Sequence, residues 1–96
     1  MKIQISEDAA KWYKDELELE SPSHVRFYVR YGGFGGNIPG FSLGINVEEP
    51  EEIHSSAKVD HITFFVDQDD AWYFEEKDLQ IDYNPKMKEP EFHYQG

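Results

Sequence analysis

RFYVRYGGFGGNIPGFSLGI occupies residues 26–45, and two alternating apolar runs around a glycine-dense centre decide how the chain must fold. On the first run Val25, Phe27, Val29 and Tyr31 share one parity, while Arg26, Tyr28 and Arg30 share the other. That is the pattern of a strand with an amphipathic outer face. Phe41, Leu43, Ile45 and Val47 repeat it on the second run. Between them, residues 31–40 hold five of the seven glycines in the chain, with Phe34 in their midst. Glycine tolerates positive φ and close backbone approach, so the segment predicts a hairpin with an unusually long, tightly turning connection.

Outward from this hairpin, the remaining elements follow from local pattern. Near the start, IQI alternates as a short strand, and Ser6 is a helix N-cap with Glu7 and Asp8 in the first turn. Ala9, Trp12, Tyr13 and Leu17 recur at helical spacing and predict an inward aromatic stripe, ended by Ser21-Pro22-Ser23. EEPEEIHSSA, residues 48–57, reads as a polar surface loop. KVDHITFFVD, residues 58–67, reads as strand around an Asp60-His61 turn, with both parities apolar from Ile62 to Val66 and so buried on both faces. Asp67 is placed to cap a short helix through residues 68–77, where Ala71, Trp72 and Phe74 supply apolar contacts; Trp72, Tyr73 and Phe74 are expected to face the core rather than to line an apolar pocket or partner groove. LQIDY and EFHY supply closing strands. No internal repeat is present, and the sum is one domain over residues 1–96: an α+β, β-rich fold with an N-terminal helix and a short second helix.

Composition narrows the function. Nine basic against twenty acidic residues give a formal charge of −11, which repels phosphate backbones and anionic lipid, so neither nucleic acid nor membrane is an expected partner. Residues 47–96 carry fourteen acids against four lysines, whereas residues 1–46 carry six acids against five basic residues. There is no cysteine, which excludes disulfides, thiol nucleophiles and thiolate metal ligands. No apolar run has signal-peptide or membrane-spanning length, and a cytoplasmic location is the resulting expectation.

Motifs that would carry chemistry are weak on detail. The glycine run has no following Lys-Ser/Thr, opens no helix and lacks Gly-x-Gly-x-x-Gly spacing, so it is not a phosphate cradle. His24, His54, His61 and His93 are scattered without zinc-site spacing. Asp60, Asp67, Asp69 and Asp70 lack the glycine and terminal glutamate of a calcium loop. Gly40-Phe41-Ser42-Leu43-Gly44 matches Gly-x-Ser-x-Gly in letters, but it lies inside an alternating strand rather than at a strand-to-helix elbow. No catalytic residue, metal ligand or cofactor is expected.

The same stretch, RFYVRYGGFGGNIPGFSLGI, resembles the HesB-like family, the A-type iron-sulfur carrier fold, in which a strand runs into Gly-Gly-Cys-Ser-Gly and leaves through an aromatic-bearing second strand. Gly32, Gly33, Gly36 and Phe41 match that pattern, and the likeness extends through ITFFVDQDDAWYF and LQIDYNPKMKEPEFHY. KWYKDEL, VRFYVRYGG, GFSLG and EPEFHY together place it nearest the small YneR-type members. The resemblance implies a HesB-like fold of twisted mixed sheets or a pseudo-barrel, and a role in iron-sulfur assembly. It also implies that ligands come from the loop cysteine and a C-terminal Cys-Gly-Cys. Here Phe34 stands at the first of these positions and the sequence ends in EFHYQG, so no ligand carries over.

The expectation is therefore a non-enzymatic HesB-like domain acting as a protein-interaction or small-ligand module. Its contact would be a protein partner or a second copy, met at the glycine-rich loop through Tyr31, Phe34 and Phe41, with Arg26 and Arg30 flanking. The alternative is an iron or iron-sulfur carrier using non-cysteine or partner-supplied ligands.

Overall fold

Ser6 opens the first helix in the computed structural model, which describes residues 1–96: its hydroxyl accepts from Ala9 N at 3.1 Å, as its N-cap position predicts. The chain runs β1 (Ile3–Ile5), α1 (Glu7–Glu16), β2 (Ser23–Tyr31), β3 (Phe41–Val47), β4 (Ile53–Val59) and β5 (Ile62–Asp67). A 3-10 turn (Gln68–Asp70), α2 (Ala71–Phe74), β6 (Asp78–Asn84) and β7 (Glu89–Gln95) complete it. Two mixed sheets result, ordered β1-β6-β7 and β3-β2-β5-β4. In the first, β1 lies parallel to β6 and β6 antiparallel to β7. In the second, β2 is antiparallel to β3 and parallel to β5, which is antiparallel to β4. The β-rich α+β architecture expected from the alternation patterns is thus the observed one.

The core fills the space between the sheets and α1. Ala9, Ala10 and Tyr13 of α1 meet Val25 and Phe27 of β2, Ile62, Phe64 and Val66 of β5, and Leu79 and Ile81 of β6. Aromatic rings supply much of its volume: Tyr13 sits edge-on to Phe27 at 5.7 Å, and Phe27 stacks on Phe64 at 6.0 Å. Phe65 points to the opposite face and is also fully buried, with His24 against it at 6.4 Å, so β5 is covered on both sides as its double-parity pattern requires.

Three local expectations are corrected. The supposed loop at residues 48–57 ends early, because β4 begins at Ile53 and pairs with β5 from Ile53↔Asp67 to Val59↔Ile62 through a register shift. Charge at residues 48–52 masked a strand whose outer positions are polar because it is a sheet edge. Asp67 does not cap the 3-10 turn; its carboxylate accepts from Glu52 N at 2.8 Å and stitches the approach to β4 onto the end of β5. Trp72 leaves the core and is 54% exposed, since α2 is a single turn and only Tyr73 and Phe74 can point inward.

The geometry that matters for the site is set where β5 parts from β2. Their parallel pairing covers only Ser23–Arg26 against Ile62–Phe65, which leaves the far half of that β2 edge without a strand partner. The 3-10 turn takes the vacated place: Asp70 Oδ1 accepts from Val29 N at 3.3 Å and Oδ2 accepts from Arg26 Nη2 at 2.9 Å. This brings α2 directly beneath the β2–β3 hairpin and its glycine loop.

Candidate functional site

The hairpin pairs in register from Val25↔Val47 to Tyr31↔Phe41, so the glycine loop is residues 32–40, as the sequence predicts. Gly32 N donates to Gly40 O at 2.7 Å and closes its base. Gly32, Gly33, Gly35 and Gly40 all have positive φ, between 76° and 101°, the region that side chains disfavour. Gly36 is needed for a different reason: a Cβ there would run into the Phe41 carbonyl and the Tyr73 hydroxyl. The run thus serves turning at its tip and close packing at its foot.

That foot is pinned by one residue. Asn37 N donates to the Tyr73 hydroxyl at 2.6 Å, while Asn37 Nδ2 donates to Tyr73 O at 2.8 Å and to Glu75 Oε1 at 3.1 Å. Lys77 Nζ donates to Asn37 Oδ1 at 2.9 Å. The Tyr73 hydroxyl in turn lies 3.3 Å from that of Tyr94 on β7, joining the loop to the other sheet. Burial, and next the Tyr73 hydroxyl, push the Tyr94 phenol well above its ordinary range, so it stays protonated.

Above this foot lies a row of aromatic side chains, with Tyr31 and Trp72 exposed and Phe41 half-buried between them. Tyr31 is edge-on to Phe41 at 5.7 Å, and Phe41 is edge-on to Trp72 at 5.5 Å. Tyr31 is 88% exposed even though its parity places it with the core residues of β2, because the strand runs past the end of the core. Phe34, at the loop tip, is fully exposed. The structure therefore brings Tyr31 and Phe41 together and leaves Phe34 projecting beyond them. Trp72 joins the row although sequence reasoning assigned it to the core; α2 is a single turn ended by Glu75 in a left-handed conformation, which the local pattern does not announce.

The two arginines separate. Arg26 is committed internally, donating to Asp70 and, at 3.3 Å, to Glu48 Oε2. Burial alone would lower its pKa, but hydrogen bonds and charge from Asp70 and Glu48 outweigh it and hold the guanidinium above its usual range. Arg30 is exposed and makes no ion pair, so of the two it alone keeps a free charge, on the sheet face opposite Tyr31 and Phe41.

Residues weighed for chemistry are dispersed. His24 faces Glu49 at 3.5 Å, His93 faces Asp82 at 3.6 Å, and His54 contacts the Ser55 hydroxyl at 2.8 Å. Asp60 pairs with Lys14 at 3.1 Å, well away from Asp67 and Asp70 with their own partners. No three histidine, aspartate or glutamate side chains gather in a metal-binding arrangement. Ser42 Oγ is buried on β3 against Gly33 and has no hydrogen-bond partner, hence no base to activate it. Pairing of Ser42 with Arg30 inside the hairpin confirms that the Gly-x-Ser-x-Gly match is not an elbow. No helix is long and apolar enough to cross a membrane.

Against known proteins, a family model described as iron-sulphur cluster biosynthesis matches residues 1–94. A Bacillus subtilis (strain 168) protein named pyruvate dehydrogenase inhibitor is 48% identical over 95 residues, covering 99% of this chain and 100% of the relative. An uncharacterized protein of Staphylococcus saprophyticus is 36% identical over 92 residues, covering 93% of this chain and 94% of that protein. A further uncharacterized protein, from Staphylococcus haemolyticus, is 35% identical over 85 residues, or 85% of this chain and 86% of its own. No solved structure matches the chain.

The cluster that the family name implies does not fit the residues present. The loop position expected to carry sulfur holds Phe34, whose ring offers no lone pair to iron, and no cysteine exists anywhere in the chain. Where the loop foot meets the C-terminal strand, the neighbouring groups are the hydroxyls of Tyr73 and Tyr94 together with the amide of Asn37.

Proposed function

The chain belongs to the iron-sulphur cluster biosynthesis family, and from that premise and its lack of cluster ligands we propose that it is a cluster-free member acting by binding another protein. The contact is made by the loop end of the β2–β3 hairpin. One observation carries this reading: Phe34 is fully exposed at the tip of a loop whose foot is firmly held, next to the aromatic row of Tyr31, Phe41 and Trp72. Exposed aromatic rings on a rigid support are what the energetic centres of protein interfaces are built from, because they bury large apolar area at small entropic cost.

The partner we propose is pyruvate dehydrogenase, on the strength of the relative that carries the name of its inhibitor at 48% identity over nearly the whole chain. Inhibition then comes from occupying a surface of the enzyme, with no bond made or broken by the inhibitor. The formal charge of −11 favours encounter with a basic region and makes the association rate fall with added salt. Titrating the purified chain into pyruvate dehydrogenase from the same organism is the test. The expected result is stoichiometric loss of turnover with no consumption of the chain; full activity at a large excess of the chain contradicts the proposal. Anaerobic reconstitution with ferrous iron and sulfide separates this from carriage of a cluster on borrowed ligands: a colourless, iron-free protein is expected, and a stable charge-transfer band contradicts it.

A further inference from the structure

We infer that Asn37 is a positioning residue for docking, holding the loop in the shape that presents Phe34; this rests on the reading of the loop end as the contact surface. The loop has two parts. Residues 32–35 contain three glycines with positive φ and the exposed Phe34, and the only hydrogen bond there is the one that closes the base from Gly32 to Gly40. Residues 36–38 lie against α2. Nearly every polar tie between the two parts of the molecule at this point passes through Asn37, by its backbone N–H and by both ends of its side-chain amide.

The arrangement is specific to an amide. Its NH2 group gives two hydrogens, to the Tyr73 carbonyl and the Glu75 carboxylate, while its oxygen takes one from the Lys77 ammonium. A carboxylate at position 37 would set oxygen against oxygen at Tyr73 and Glu75. An apolar residue would leave the Tyr73 carbonyl, Glu75 and Lys77 without this partner. Glycine-dense backbone has much conformational freedom to lose, so an unanchored loop must be ordered at the moment of binding and an anchored one need not be. Asn37 therefore acts on affinity through Phe34, without touching the partner itself.

The experiment is a double-mutant cycle of Asn37→Ala and Phe34→Ser, read as affinity for pyruvate dehydrogenase, with amide hydrogen exchange at Gly32 and at position 37, the two hydrogen-bonded amides of the loop, measured on the free chains. Asn37→Ala is expected to speed exchange in those residues and to weaken binding about tenfold. In the Phe34→Ser background the same substitution is expected to cost nothing further, a coupling that a general loss of stability would not produce. Unchanged exchange with unchanged affinity in Asn37→Ala overturns the positioning role while leaving the docking surface intact. Equal losses in both backgrounds also overturn it, since Asn37 would then act independently of Phe34. Wild-type affinity in Phe34→Ser overturns the docking surface, and the positioning role with it; faster exchange alone would not rescue either.

Discussion

Arg26 on β2 and Asp70 in the 3-10 turn are joined at 2.9 Å, and the second oxygen of the same carboxylate accepts from Val29 N, so one side chain completes a strand edge that β5 has left. Asp70 is only 8% exposed. Removing one member of such a pair leaves a poorly solvated charge and an unsatisfied backbone N–H, both costly. Asp70→Ala is expected to lower stability by about 2–4 kcal/mol. Asp70→Asn, which keeps an acceptor for Val29 N, should lose less. The folded pKa of Arg26 is raised, so the guanidinium stays charged and its contribution is present in full at neutral and weakly alkaline pH. Urea unfolding of the three proteins should accordingly show the same differences at pH 6 and pH 9.

Tyr13 and Tyr94 give a pH dependence of known sign. Burial raises the Tyr13 phenol, and burial followed by the Tyr73 hydroxyl raises Tyr94, both beyond the range of a free tyrosine. For a raised folded pKa, the contribution to stability is fully present below the unfolded value and is lost as pH climbs above it. Unfolded tyrosine ionises near about 10, so stability should hold from neutral to weakly alkaline pH and then fall steeply. Tyr13→Phe should flatten the fall. Urea midpoints between pH 8 and pH 11 check this; a midpoint insensitive to pH 11 would contradict it.

Gly36 and Gly35, adjacent in sequence, should respond differently to alanine. A Cβ on Gly36 meets the Phe41 carbonyl and the buried Tyr73 hydroxyl, which cannot yield without disturbing the Asn37 contacts. Gly35 has open space around it but a φ of 76°. Gly36→Ala is expected to cost about 1–3 kcal/mol by overpacking. Gly35→Ala should cost about 1 kcal/mol from backbone strain alone. Thermal unfolding of the two variants checks the order, and the reverse order would show that the foot of the loop is not tightly packed.

Period-two alternation was enough to read β2, β3 and β6 directly, the continuous apolar run gave β5, and Ser6 announced α1, because each of these patterns is enforced within a few residues. The hairpin and the limits of its glycine loop followed from the same alternation, whereas its register was seen only in the structure. Ile53–Val59 was hidden because an edge strand keeps polar side chains outward, so its signal resembles a loop. Phe34 was legible as an exposed ring, since a glycine-dense loop offers little to cover it. Trp72 and Asn37 were not, because their roles depend on α2 being carried beneath the hairpin by the departure of β5 from β2. Nor could local sequence show that Arg26 is spent on Asp70, 44 residues away.

Phe34→Ser and the wild-type chain, compared side by side for affinity toward pyruvate dehydrogenase and for thermal stability, test the central claim most directly. Because Phe34 is fully exposed, its replacement should change stability by no more than about 0.5 kcal/mol. Loss of a central aromatic anchor should weaken binding by about 2 kcal/mol or more. An unaltered melting temperature with association lost is the result predicted. Undiminished inhibition by the Phe34→Ser protein would contradict the account.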